Sequence, residues 1–106
     1  MSGRDAAVAA AAAAFDDGRY AAALAELVTY RTESRDAGRP EELARYLATA
    51  LTPRLEALGF TCTLHPNPSG HPGGLLVARR HEGDGLATVL SYAHGDVVQG
   101  DDARWS

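Results

Sequence analysis

A chain of 106 residues, 45% hydrophobic and 23% charged, has the composition of one ordinary soluble globular domain. Its formal charge is -4, and its ten basic residues are scattered arginines with no lysine, so no basic stripe exists to neutralise phosphates and a nucleic-acid partner is not expected. No stretch approaches the ~20 apolar residues of a membrane span, and the single Cys62 excludes an intramolecular disulfide, in keeping with a reducing, cytoplasmic setting.

The first element is "RDAAVAAAAAAF", Arg4 to Phe15. Its basic residue, short apolar run and small residues have the outline of a signal peptide. Alanine is only weakly apolar, however, Asp5 sits beside the run, and no leucine cluster is present. Alanine is also the best helix former. A lightly docked helix over residues 5 to 16 is expected, ending in a turn at Asp16, Asp17 and Gly18, with secretion as the lesser alternative. Residues 1–18 are thus expected to be an alanine-rich N-terminal helix, lightly docked, before the main body, residues 19–106.

From Arg19 to about Thr32, the apolar residues Tyr20, Leu24, Leu27 and Val28 mark one face of an amphipathic helix. "TESRDAGR" follows as a polar loop. Pro40 suits the first position of a third helix, with Glu41 and Glu42 complementing its dipole. Leu43, Tyr46, Leu47, Ala50, Leu51, Leu55 and Leu58 carry its apolar stripe, and Gly59 is the natural stop. Pro53 is expected to kink this helix, or to split it with Thr52 as a new cap.

The period then changes. "FTCTLH" (Phe60 to His65) alternates and is rich in β-formers, and Cys62 fits there as a small apolar strand residue rather than a nucleophile. "PNPSGHPGG" is a loop by composition, and "LLVARRH" and "LATVLSYAH" follow as strands divided by the turn "EGDG". The last strand is apolar on both faces, with Ala87, Val89 and Ala93 on one and Leu90 and Tyr92 on the other. Strands of that kind lie in the middle of a sheet covered on both sides. The expected class is α/β: helices, then the first three strands of a mixed sheet, forming an incomplete N-terminal part of a larger domain.

His94 falls at the carboxyl end of that last strand, where open α/β sheets bind ligands. One ring nitrogen of an imidazole there can bind a divalent metal. The other then needs an acceptor, and Asp96 faces the same way along an extended chain. Taken alone, the pair also fits a strand-end histidine satisfied by Asp96 or by backbone.

The surroundings add to the pair. A strand, then "HGDVV", the polar "QGDDAR" and a tryptophan resemble the first metal-ligand motif of the co-catalytic zinc hydrolases. That family, the twentieth among the metallopeptidases, includes acetylornithine deacetylase, succinyl-diaminopimelate desuccinylase, aminoacylase and glutamate carboxypeptidase. "LVTYRTES" resembles the family's opening helix and its serine, and "EELARYLATALTPRLEALGF" the helix before its first strand. The resemblance runs from about Leu27 to Trp105. Ala93 stands where glycine is frequent in the family, and Gln99 where proline is.

The resemblance implies that residues 19–106 are the N-terminal portion of a metallopeptidase-like catalytic domain. His94 would bind one of two zinc ions, and Asp96 would be the active-site aspartate that orients it. The zinc pair would polarise a scissile carbonyl and acidify a bridging water, with a glutamate as general base. That glutamate and the other ligands lie downstream in the family and have no counterpart here, so this chain alone is expected to be inactive. The implied substrate is a small peptide or an N-acyl amino acid, and a homodimer through a downstream domain stays open. A non-catalytic α/β module acting through protein–protein contact is the alternative, and a metallophosphoesterase a weaker one because its Asn-His pair is absent. His65, His71 and His81, and the pair Asp101 and Asp102, are expected to be solvated. For Trp105, packing on the sheet edge and shaping a substrate mouth both stay open.

Overall fold

The helix starts and stops of the chain trace to particular residues. The structure, a computed structural model, describes residues 2–35 and 38–104. Trp105, and the Asp36 and Ala37 of the polar loop, therefore lie outside the described residues.

Helix α1 (Gly3–Asp16) begins with a capping box: the Asp5 N–H donates to Ser2 Oγ at 3.1 Å, and the Ser2 N–H donates to Asp5 Oδ2 at 3.3 Å. None of its residues is buried. Gly18, at φ +84°, turns the chain into α2 (Arg19–Leu27), and Phe15 meets Tyr20 across the turn with ring centroids 6.1 Å apart. Helix α2 stops short of the expected Thr32. The Thr29 N–H and hydroxyl both bond to the Glu26 carbonyl, at 3.2 and 2.7 Å. That tightens the last turn and releases the chain into an extended path at Thr32 and Glu33.

The third helical run starts later than Pro40, which lies in the preceding turn. It comprises α3 (Glu42–Arg45), a π-helical segment (Tyr46–Leu51) and α4 (Thr52–Ala57). Pro53 has no N–H to give the preceding turn. The helix absorbs this by widening rather than by breaking: the Thr52 N–H reaches back to the Leu47 carbonyl, and the Thr52 hydroxyl donates to the same oxygen at 2.8 Å. Thr52 keeps helical dihedrals and is not a cap. Helix α4 ends in a Schellman motif. The Phe60 N–H bonds the Leu55 carbonyl and the Gly59 N–H bonds the Glu56 carbonyl, with Gly59 at φ +86°.

Strands β1 (Thr61–His65) and β2 (Leu75–Arg79) pair antiparallel, with Cys62 opposite Ala78 and Leu64 opposite Leu76. Half-buried Cys62 faces α4, its Sγ 4.0 Å from the Thr52 carbonyl. The described residues thus combine helices with a two-stranded antiparallel sheet.

The expected third strand differs most. Residues 86 to 96 make no ladder with β1 or β2. Leu86, Val89, Leu90 and Tyr92 are exposed, Val89 at 85% and Leu90 at 93%. A segment apolar on both faces takes its place in a sheet from neighbouring strands, and no described strand lies beside it. Among the described residues, the buried hydrophobic positions are Leu47 and Ala50, both on the π-helical segment.

Candidate functional site

The site is built on a short splice between two distant segments. The Val97 N–H donates to the Thr32 carbonyl at 3.0 Å, and Glu33 and Val97 form a parallel bridge. Glu33 extends this join, its Oε2 accepting from the Gly100 N–H at 2.9 Å. Arg31 donates to Glu33 Oε1 at 3.2 Å and reaches Asp102 Oδ2 at 3.5 Å. Glu33 and Asp102, the first-named of these larger, raise the Arg31 pKa above its ordinary value. Asp101 is exposed, 3.7 Å from Arg104, so the acidic pair is surface charge tied to arginines, as expected.

Gly95 sets the depth of the motif. A Cβ there would lie 3.2 Å from Tyr46 Cε1 and 3.6 Å from Leu47 Cδ2, tighter than ordinary contact for the first. The absence of a side chain lets the backbone of "HGD" lie against the π-helical segment.

His94 Nδ1 lies 3.4 Å from Asp96 Oδ1, and His94 Nε2 lies 3.3 Å from the Tyr92 hydroxyl. The Tyr92 and His94 rings meet edge-on at 5.2 Å. One neutral tautomer satisfies both contacts: Nδ1–H directed at the carboxylate, and Nε2 accepting from the Tyr92 O–H. The His94 side chain is 72% exposed, so Nε2 faces solvent beside a single displaceable hydroxyl. The second Asp96 oxygen accepts from Ser34 Oγ at 2.9 Å. That hydrogen bond is the main reason the Asp96 carboxyl is held below its ordinary range, with its own backbone N–H and His94 adding to it and partial burial opposing.

A third histidine-bearing segment joins them. His71 was expected to be solvated in the "PNPSGHPGG" loop, but it is half-buried, and both ring nitrogens are engaged. The Gly73 N–H donates to Nδ1 at 3.0 Å, so Nε2 carries the proton and donates to the Ser34 carbonyl at 3.0 Å. Ser34, Asn67, Ser69, His71 and Asp96 line a shallow depression of about 320 Å³. His65 and His81 are exposed, as expected, with His81 3.1 Å from Asp84. The contacts of Ser34 and His71 cross 62 and 37 residues of chain, and no local spacing announces them.

His94 is an exposed imidazole with a carboxylate beside one ring nitrogen and the Tyr92 hydroxyl beside the other. Among the described residues no group of three or more His, Cys, Asp or Glu side chains is arranged to hold a metal ion. No helix there is long and apolar enough to cross a membrane. No family model matches the chain, and neither a curated protein nor a solved structure was found to match it.

Proposed function

We propose that this chain carries the first metal-ligand motif of a zinc-dependent hydrolase of amide bonds, acting on a small peptide or an N-acyl amino acid. The observation that supports this is the Asp96 carboxylate beside His94 Nδ1, which favours the neutral tautomer protonated at that nitrogen. With Asp96 at Nδ1, the basic lone pair of Nε2 points outward, as a metal ligand requires. Zinc bound there would supply Lewis acidity toward a carbonyl oxygen and a more acidic bound water. Within this chain, His94 provides the lone pair, Asp96 fixes its tautomer and strengthens its donation, and Tyr92 caps the nitrogen until it is displaced. A catalytic zinc needs about three protein ligands, and His94 is one, so these 106 residues alone are expected to be inactive.

A zinc titration followed through the ring nitrogens of the four histidines is the test. His94 Nε2 is expected to respond first, and Asp96→Asn to weaken that binding about 10–100-fold. A response confined to His65, His71 or His81, or none at all, removes the metal role.

The second reading, a non-catalytic module, is favoured by the exposed apolar run from Leu86 to Val98. In that reading His94 and Asp96 form a surface pair of no chemical consequence, and zinc leaves both unchanged.

A further inference from the structure

We infer that Ser34 is a positioning residue: its hydroxyl sets the Asp96 carboxylate, and through it the His94 ring. The positional claim stands on the metal-free geometry, and its consequence for zinc rests on the function proposed above.

A carboxylate on an exposed loop is free to rotate about its last bond, and a rotating acceptor does not fix a tautomer. Asp96 has its two oxygens assigned to different neighbours. Oδ2 accepts from Ser34 Oγ at 2.9 Å, which leaves Oδ1 toward His94 Nδ1 at 3.4 Å. The shorter contact fixes the carboxylate plane, and the longer one takes its direction from it.

Ser34 is itself held. Its carbonyl accepts from His71 Nε2 at 3.0 Å, and that ring is fixed in turn by the Gly73 N–H. Two residues earlier the Thr32 carbonyl accepts the Val97 N–H, and Thr32 is buried. Gly73 is buried too, and a Cβ there would overlap Leu43 Cδ2, so the loop that carries His71 is seated against the third helical run. The Ser34 hydroxyl is therefore a donor on a fixed backbone, supported from the "HGD" side and from the "PSGHPGG" side. Neither support depends on the hydroxyl, so removing it changes the orientation of Asp96 without removing the splice.

The experiment compares wild type, Ser34→Ala and Ser34→Thr without metal, reading the His94 tautomer from its ring nitrogen shifts. The Val97 and Gly73 amide signals serve as controls for the backbone. Wild type is expected to show the Nδ1–H form predominating. Ser34→Ala is expected to lose that predominance with both amide signals in place, and Ser34→Thr to restore it. A zinc titration of the same samples should then show affinity at His94 falling about 10-fold in Ser34→Ala.

Unchanged His94 tautomer and zinc affinity in Ser34→Ala would overturn the inference, as would a loss that Ser34→Thr fails to restore. If the tautomer shifts as expected while zinc leaves His94 untouched in every sample, Ser34 keeps its positioning role and the hydrolase reading fails. If zinc binds His94 equally well with and without the hydroxyl and the tautomer is the same in both, the metal role of His94 stands and the positioning role fails.

Discussion

Glu42 shows how much a single carboxylate ties together. Its Oε1 accepts from Arg45 Nε at 2.8 Å, and its Oε2 accepts from Arg45 Nη2 at 3.0 Å and from the Arg31 N–H at 3.1 Å. The Arg45 fork, then the Arg31 N–H, lower its pKa from 4.5 to about 2. The folded value lies below the unfolded one, so this stabilisation is fully present above pH 4.5 and is lost as pH falls toward 2. Glu42→Gln is expected to lower the urea midpoint at neutral pH and to match wild type near pH 2. A difference between the two proteins that stays constant across that range would count against the assignment. Residue-level legibility follows range. The His94 and Asp96 pairing was readable because i and i+2 share a face of an extended chain. Ser34 had been noted only through resemblance, and its bond to Asp96 spans 62 residues. His71 gave no local sign of Ser34, and a histidine between a glycine and a proline suggests only a loop.

Helices were the more legible elements, because their signals are local. Gly18 and Gly59 both adopt the positive φ that a helix-ending glycine implies, and the apolar stripe from Leu43 to Leu58 belongs to one continuous run. Pro53 was rightly seen as a disturbance, but the response depends on Thr52, whose N–H and hydroxyl both reach the Leu47 carbonyl. That choice between kink and widened turn lies in side-chain geometry beyond any pattern of polarity. Gly59→Ala tests the Schellman motif. A Cβ at Gly59 would meet Arg80 Nε at 3.7 Å, an ordinary contact, so the cost is conformational. At φ +86° the substitution is expected to destabilise by about 1–2 kcal/mol, and Gly59→Asn by less, because asparagine tolerates this region. Equal urea midpoints for all three proteins would show that the α4–β1 turn does not need the left-handed residue.

Among the described residues exposed apolar side chains are numerous, and here the two-faced apolar character of residues 86–94 was legible while their expected place in the middle of a sheet is not found. The segment 86–94 has the two-faced apolarity of a central strand, yet pairing is non-local, and the described strands β1 and β2 pair with each other. The consequence is measurable in shape. The radius of gyration is 16.8 Å with a shortest extent of 18 Å, against about 13 Å for a compact domain of 100 residues. Leu86, Val89, Leu90, Tyr92 and Val98 are all exposed on the same segment. Burying each side chain contributes about 1.5–3 kcal/mol, while bringing two molecules together costs about 4–15 kcal/mol. Five such side chains from each of two copies are enough for a measurable self-association through unpaired extended edges. Sedimentation velocity is therefore expected to show a weight-average coefficient that rises with concentration. The double substitution Val89→Lys and Leu90→Lys should reduce that rise, because charge on an edge opposes pairing. It should leave the far-ultraviolet helical signal intact, since neither side chain is buried in the fold. Wild-type protein that stays monomeric at every concentration, with a sharp unfolding transition, would show that this surface is stable in water without a partner. A lysine pair that unfolds the helices would instead place Val89 and Leu90 inside a packed core in solution.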